Sequence, residues 1–137
     1  MDTILATLST GLPVLLLQFA LALGLLALAA AAYSAITPFH ELALIRAGNA
    51  AAGLVFAGTV VALAIPLAAT LATSLVTLDI LVWGVIATVI QLLAFFAATA
   101  LLRGLRDQIE AGNIAAASAL VGIQLAVAVV NAGAMAG

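Results

Sequence analysis

Long apolar stretches alternate along this chain with short segments that gather most of its charged side chains. Four apolar blocks run roughly from Pro13 to Ile36, from Asn49 to Leu71, from Ile80 to Leu102, and from Asn113 to the C-terminus. Each is close to the ~20 residues that carry a helix across the hydrocarbon of a bilayer. Helices are required because lipid offers backbone groups no hydrogen-bond partner. The blocks lack the polar/apolar alternation of a barrel strand. The pattern therefore predicts an all-α integral membrane protein with four transmembrane helices, formed as a single domain over residues 1–137. Pro13 is expected in the first turn of the first span, where its missing N–H costs nothing. Pro66 lies well inside the second span, where a proline bends a helix.

The connections carry the next level of organisation. After the first span, Thr37-Pro38 followed by Glu41 reads as a helix start. Phe39, Leu42 and Ile45 can then share one face of a short interfacial helix. Arg103 to Gly112 has similar character, and Ser74 or Thr77 is expected to cap the third span. The octet Ile45-Arg46-Ala47-Gly48-Asn49-Ala50-Ala51-Ala52 reappears as Ile109-Glu110-Ala111-Gly112-Asn113-Ile114-Ala115-Ala116, with six of eight positions identical. The register continues through Gly58/Gly122, Ala62/Ala126 and Ala64/Ala128. This predicts a tandem parallel repeat of a two-helix unit, about 11–74 and about 75–137, rather than the inverted repeat of many secondary transporters. All three basic residues, Arg46, Arg103 and Arg106, fall in the first and third connections. The positive-inside rule makes that side cytoplasmic and puts both termini and the Asp79 loop outside. Tyr33 and Trp83 are expected at opposite interfaces, and His40-Glu41 as a solvated interfacial pair.

Composition narrows the function classes. Hydrophobic residues make up 68% of the chain and charged residues 6%, against roughly 25% charged in soluble domains. The formal charge of −2 and the absence of a basic face argue against nucleic-acid binding. The chain has no cysteine, which excludes disulfides, thiol chemistry and cysteine-rich metal sites. Met1-Asp2-Thr3 lacks the positive start of a cleavable signal, so the first block reads as a retained span. No phosphate loop, nucleophile elbow or ligand cluster is present. No catalytic, cofactor-binding or metal-ligating residue is assigned, and the chain reads as a non-enzyme without a cofactor.

The candidate functional positions are polar groups within the spans. Asn49 and Asn113, each behind a glycine (Gly48 and Gly112), read as helix N-caps. Gln91 and Gln124 fall at the same depth on antiparallel spans, and a Gln–Gln hydrogen bond fastening the two helices is the preferred reading. Asn113, Ala117, Gln124 and Asn131 keep one face of the fourth span, with Gln18 at a depth similar to Asn131 and Thr59 on the second span. A buried seam is preferred to a water-lined path, because ion pathways place ionisable residues at the midplane. Gly58-Ala62 and Gly122-Ala126 are equivalent small-residue pairs suited to close helix packing.

Tyr33-Ser34-Ala35-Ile36-Thr37-Pro38, Glu41 and Gly48-Asn49-Ala50-Ala51-Ala52 resemble the first half of the domain of unknown function 350 family. Phe56-Ala57-Gly58-Thr59, Ile65-Pro66-Leu67, Trp83-Gly84-Val85-Ile86-Ala87, Ile90-Gln91-Leu92-Leu93 and Gly112-Asn113 extend the resemblance over nearly the whole chain. The resemblance implies a small bacterial inner-membrane protein built from a repeated two-helix unit. It assigns no activity and no functional residue. The expected role is a structural or accessory subunit that forms a homo-oligomer or binds a membrane partner within the lipid bilayer. The alternative is a small channel or transporter with a polar path along the fourth span.

Overall fold

A computed structural model describes residues 1–37 and 39–137. They form α1 (Asp2–Ile36), α2 (Glu41–Arg46), α3 (Ala50–Thr73), α4 (Thr77–Leu101), α5 (Leu105–Glu110) and α6 (Ile114–Ala136). Helices α1, α3, α4 and α6 are long and apolar enough to cross a membrane. The short α2 and α5 follow the first and third of these. α5 begins 64 residues after α2, at Leu105 against Glu41, and α6 begins 64 after α3, at Ile114 against Ala50.

Helix α3 is the hub. Its largest interface is with α6, and it also packs on α4, α1 and α2. α3 and α6 run parallel, since Gly58 lies beside Val121 and Thr59 beside Gln124. α4 and α6 run antiparallel, joined at Gln91–Gln124 and at Ala87–Asn131. At the end of the bundle bearing the short helices, Tyr33, Phe39, Val55, Phe95, Leu105, Ile109 and Leu120 form one buried apolar cluster. The Tyr33 and Phe95 rings meet edge-on at 4.8 Å.

Several local expectations change. Helix α1 starts at Asp2, so Pro13 lies inside it rather than in its first turn. At 1.5 Å per residue its 35 residues span about 52 Å, well beyond the ~30 Å of hydrocarbon. Only Ala29 and Tyr33 of α1 are buried. Neither Ser74 nor Thr77 caps the third span: Val76 is the N-cap of α4, without a side-chain bond, and Ser74 ends α3. Of the proposed Thr37-Pro38 helix start, Pro38 lies outside the described residues. α2 itself opens at Glu41 behind His40. Tyr33 is not an interfacial aromatic but fully buried, while Trp83 is half exposed.

The two small-residue pairs also differ. Gly58 and Ala62 are buried, and a Cβ on Gly58 would stand 2.5 Å from Val121 Cγ1. Gly122 and Ala126 are exposed, and a Cβ on Gly122 would meet nothing within 4 Å. The correction follows from the rotation of α6, whose buried line Ala117, Leu120, Gln124, Ala128 and Asn131 turns Gly122 away from α3. Gly84 takes a packing role that the sequence did not mark, seating Leu25 and Leu67 against α4. Gly58→Ala is therefore expected to destabilise the folded monomer by about 1–3 kcal/mol through overpacking. Gly122→Ala meets no such contact and should stabilise it by about 0.5–1 kcal/mol through helix propensity. Unfolding titrations in mixed micelles compare the two, and equal effects would contradict the assigned rotation of α6.

Candidate functional site

The Gly-Asn pairs perform two jobs in one turn of chain. Gly48 and Gly112 have φ of 85° and 82°, the left-handed region that glycine enters at no steric cost. Gly48 N–H donates to Ile45 O and Asn49 N–H to Leu44 O. Gly112 to Ile109 and Asn113 to Gln108 repeat the pattern, a Schellman close on each short helix. The asparagine then opens the next span: Asn49 Oδ1 accepts from Ala52 N–H at 3.0 Å, and Asn113 Oδ1 from Ala116 N–H at 3.2 Å. Only Asn49 also reaches across the bundle, donating from Nδ2 to Ile109 O at 2.9 Å and Glu110 O at 3.1 Å. It thus ties the start of α3 to the end of α5.

Deeper in the bundle, Thr59, Gln91, Gln124 and Asn131 come together in one buried seam between α3, α4 and α6. Gln91 does not bond the Gln124 side chain. Its Nε2 donates to the Gln124 backbone carbonyl at 2.9 Å. The reason is rotational: Gln124 is turned toward α3, where its Oε1 lies 3.1 Å from Thr59 Oγ1. The Thr59 hydroxyl is also 2.7 Å from Val55 O and has a single hydrogen to give. With that hydrogen on Val55 O, the pair is satisfied when the Gln124 amide turns its Nε2 to Thr59, an orientation set by the network rather than by the heavy atoms. Further along, Asn131 Nδ2 donates to Ala87 O at 3.2 Å. Each of these side-chain bonds between membrane helices is worth about 0.6–2 kcal/mol.

The seam opens at its Asn131 end into a groove of about 630 Å³ lined by Thr70, Ser74, Asp79, Trp83 and Asn131. Asn113 stands apart, exposed at the other end of α6. Gln18 does not join the seam. It is half-buried beside a separate groove of about 660 Å³, lined also by Thr10, Val14, Phe19 and Leu71, where α1 parts from α3.

Sequence reasoning missed the one buried ionisable group of the interfacial segment. Glu41 is 3% exposed, not solvated. Its Oε1 accepts a hydrogen bond from the Tyr33 hydroxyl, and its Oε2 is buried with no partner among the described residues. Burial pushes the Glu41 carboxyl up, the Tyr33 hydrogen bond pulls it part of the way back, and the balance lies at about 7. The signal was present in the spacing: Tyr33 ends one helix and Glu41 begins the next, so a tight connection folds one onto the other. Glu41 and Tyr33 thus form one polar pair, and Thr59 and Gln124 form a second, deeper one, with Gln91 bonded to the Gln124 backbone.

A sequence profile for the family described as Domain of Unknown Function (DUF350) matches residues 7–135. The chain belongs to this family. It is also 38% identical over 103 residues to the "UPF0719 inner membrane protein YjfL" of Escherichia coli strain K12, covering 75% of this chain and 78% of the relative. The protein of the same name from Escherichia coli O157:H7 matches to the same extent. No solved structure matches the chain. Together with the four apolar helices, the relatives place this DUF350 chain in an inner membrane as a multi-pass protein.

The two asparagines of the DUF350 chain should respond unequally to mutation. Asn49→Ala removes a cap and two bonds to α5 and is expected to cost about 2 kcal/mol. Asn113→Ala removes a cap alone, about 1 kcal/mol. Unfolding free energies of the two variants in the same micelles test the difference, and a larger cost at Asn113 would reject the cross-bundle role.

Proposed function

We propose that the chain is a non-enzymatic structural or accessory subunit of the inner membrane that assembles through α1, first of all with a second copy of itself. The observation that carries this reading is the state of α1, which buries only Ala29 and Tyr33 and holds Gln18 half-buried beside an open groove. Lipid covers the leucines of α1 without cost, but it cannot satisfy a primary amide. A symmetric copy brings its own Gln18 to the same place, since a twofold interface presents the same patch from both sides. The seam amides, by contrast, give Nε2 of Gln91 and Nδ2 of Asn131 to bonds between the chain's own helices. Gln18→Leu is expected to weaken self-association in lipid by about 0.6–2 kcal/mol, a factor of about 3 to 30 in Kd. Energy transfer between labelled copies in vesicles measures it. A chain that stays monomeric at every dilution would exclude the self-assembled form and leave a larger membrane protein as the partner.

The buried seam favours a second reading, a small channel or transporter whose path follows α6. Thr59, Gln91, Gln124 and Asn131 lie in one line that ends at the groove beside Asp79. Gln124→Leu separates the readings: altered solute or ion flux in proteoliposomes with assembly intact supports the path, and weakened packing without any flux supports the fastener.

The orientation we infer puts α2 and α5 with Arg46, Arg103 and Arg106 in the cytoplasm and both termini outside. The positive-inside rule supports it, as does the doubled segment, because two-helix units in tandem must face the same way. A Gly137→Cys variant should react with an impermeant thiol reagent from outside the intact inner membrane. Reaction only after permeabilisation would reverse the topology.

A further inference from the structure

Glu41 occupies a position that the fold does not require to be charged. Its counterpart 64 residues on is Leu105, also the first residue of a short helix and buried to 4% exposure against 3% for Glu41. Alanines, Ala97 and Ala98, fall at the level of Tyr33 in the second unit, and Ile123 matches Thr59. An apolar side chain therefore suffices to pack this corner, yet the first unit places a carboxyl there with one oxygen unpartnered among the described residues. Among the described residues no cation lies within ion-pair distance of it; the one ion pair is Arg106–Glu110. Leaving a lone carboxylate in such surroundings is costly, and a buried acid escapes the cost by taking a proton.

Access completes the picture. Glu41 lines a surface pocket of about 330 Å³ with Ser34, Phe39, His40, Leu42 and Arg46. The Tyr33 hydroxyl is hydrogen-bonded to its carboxyl. We propose that Glu41 and Tyr33 form a proton-binding site, at which the carboxyl takes a proton from the surface pocket and holds it beside the Tyr33 hydroxyl. The exchange is one proton: the carboxylate and hydronium give the carboxylic acid and water, and no electrons move. Binding at Glu41 needs no conduction through the bundle and does not depend on either functional reading above.

The charged and titratable groups around the site are few. Tyr33 faces it from α1, and His40 and Arg46 share the pocket. α3 has no charged residue, and the one on α4, Asp79, lies at that helix's opposite end. On α5, Arg106, Asp107 and Glu110 are exposed. Burial therefore dominates, and occupancy changes near neutral pH. The sign follows: the folded chain keeps a proton that the unfolded chain releases at lower pH. Glu41's contribution to stability is full below the ordinary glutamate range and is lost as pH rises through about 7.

Infrared difference spectra of the full chain in lipid vesicles, recorded against pH, test the site. A protonated-carboxyl C=O band with a midpoint near neutral pH, absent in Glu41→Gln, is the expected result. Circular dichroism confirms that this variant, isosteric with the protonated acid, keeps its helices. Tyr33→Phe should raise the midpoint, because the phenol's hydrogen bond favours the ionised form. Glu41→Asp should retain a titrating band at a different midpoint. A band in the ordinary carboxylate range, or one that survives Glu41→Gln, overturns the proposal. So does a midpoint that falls as sodium or potassium replaces an impermeant organic cation at constant ionic strength, which would make the carboxyl a metal-cation seat.

Discussion

Hydrocarbon neither donates nor accepts a hydrogen bond, and the seam between α3, α4 and α6 is arranged around that constraint. Each polar side chain in it reaches at least one partner inside the bundle, although among the described residues the buried Gln91 Oε1 has none. Thr59 and Thr70 return to the carbonyl four residues back in their own helix. Gln91 and Asn131 instead cross to a neighbouring helix and bond a backbone carbonyl there. The two crossings run in opposite directions between α4 and α6, so each helix lends an amide to the other. Bonds of this kind fix rotation and register together, because sliding α6 by one residue would carry both amides away from their acceptors. Small residues alone could not do this, since lipid tails are as apolar as the helix faces they compete with.

That arrangement also explains why two units of similar sequence make different structures. The shared Gly-Asn segments behave alike: a left-handed glycine closes a short helix, and an asparagine caps a long one. Past the caps the copies part. α3 is surrounded by α1, α4 and α6 and buries a broad face that includes Gly58. α6 has neighbours on one side only and buries a single line through Gln124. The same glycine is thus a close contact in one copy and exposed in the other.

The spans and the paired Gly-Asn turns were legible in the sequence because each rests on short-range physics: length against bilayer thickness, glycine at positive φ, asparagine at a cap. The depth match of Gln91 and Gln124 was legible for the same reason, since it needs only helix rise and antiparallel order. Their partners were not, because the choice between a facing side chain and a facing carbonyl depends on rotation about the helix axis. The direction that Gly122 faces, away from α3, was not legible for that reason too. Glu41 was misread because a charge in a connecting segment is usually solvated. Its burial comes from α2 folding back against Tyr33 and the cluster around Phe95.

The divergence between the units separates what the architecture needs from what it does not. A leucine at position 105 shows that the first turn of the short helix packs without polarity, so the carboxyl of Glu41 makes the first unit costlier than the second. The amides are distributed the other way: Gln124 and Asn131 stand where α3 has Val60 and Leu67. The polar groups of the two stretches meet in the seam at Thr59 against Gln124. That contact needs the two stretches to differ, since Ile123 and Val60 at the positions 64 residues from Thr59 and Gln124 offer no polar group. An amide at that depth without such a partner would face a solvent that supplies none.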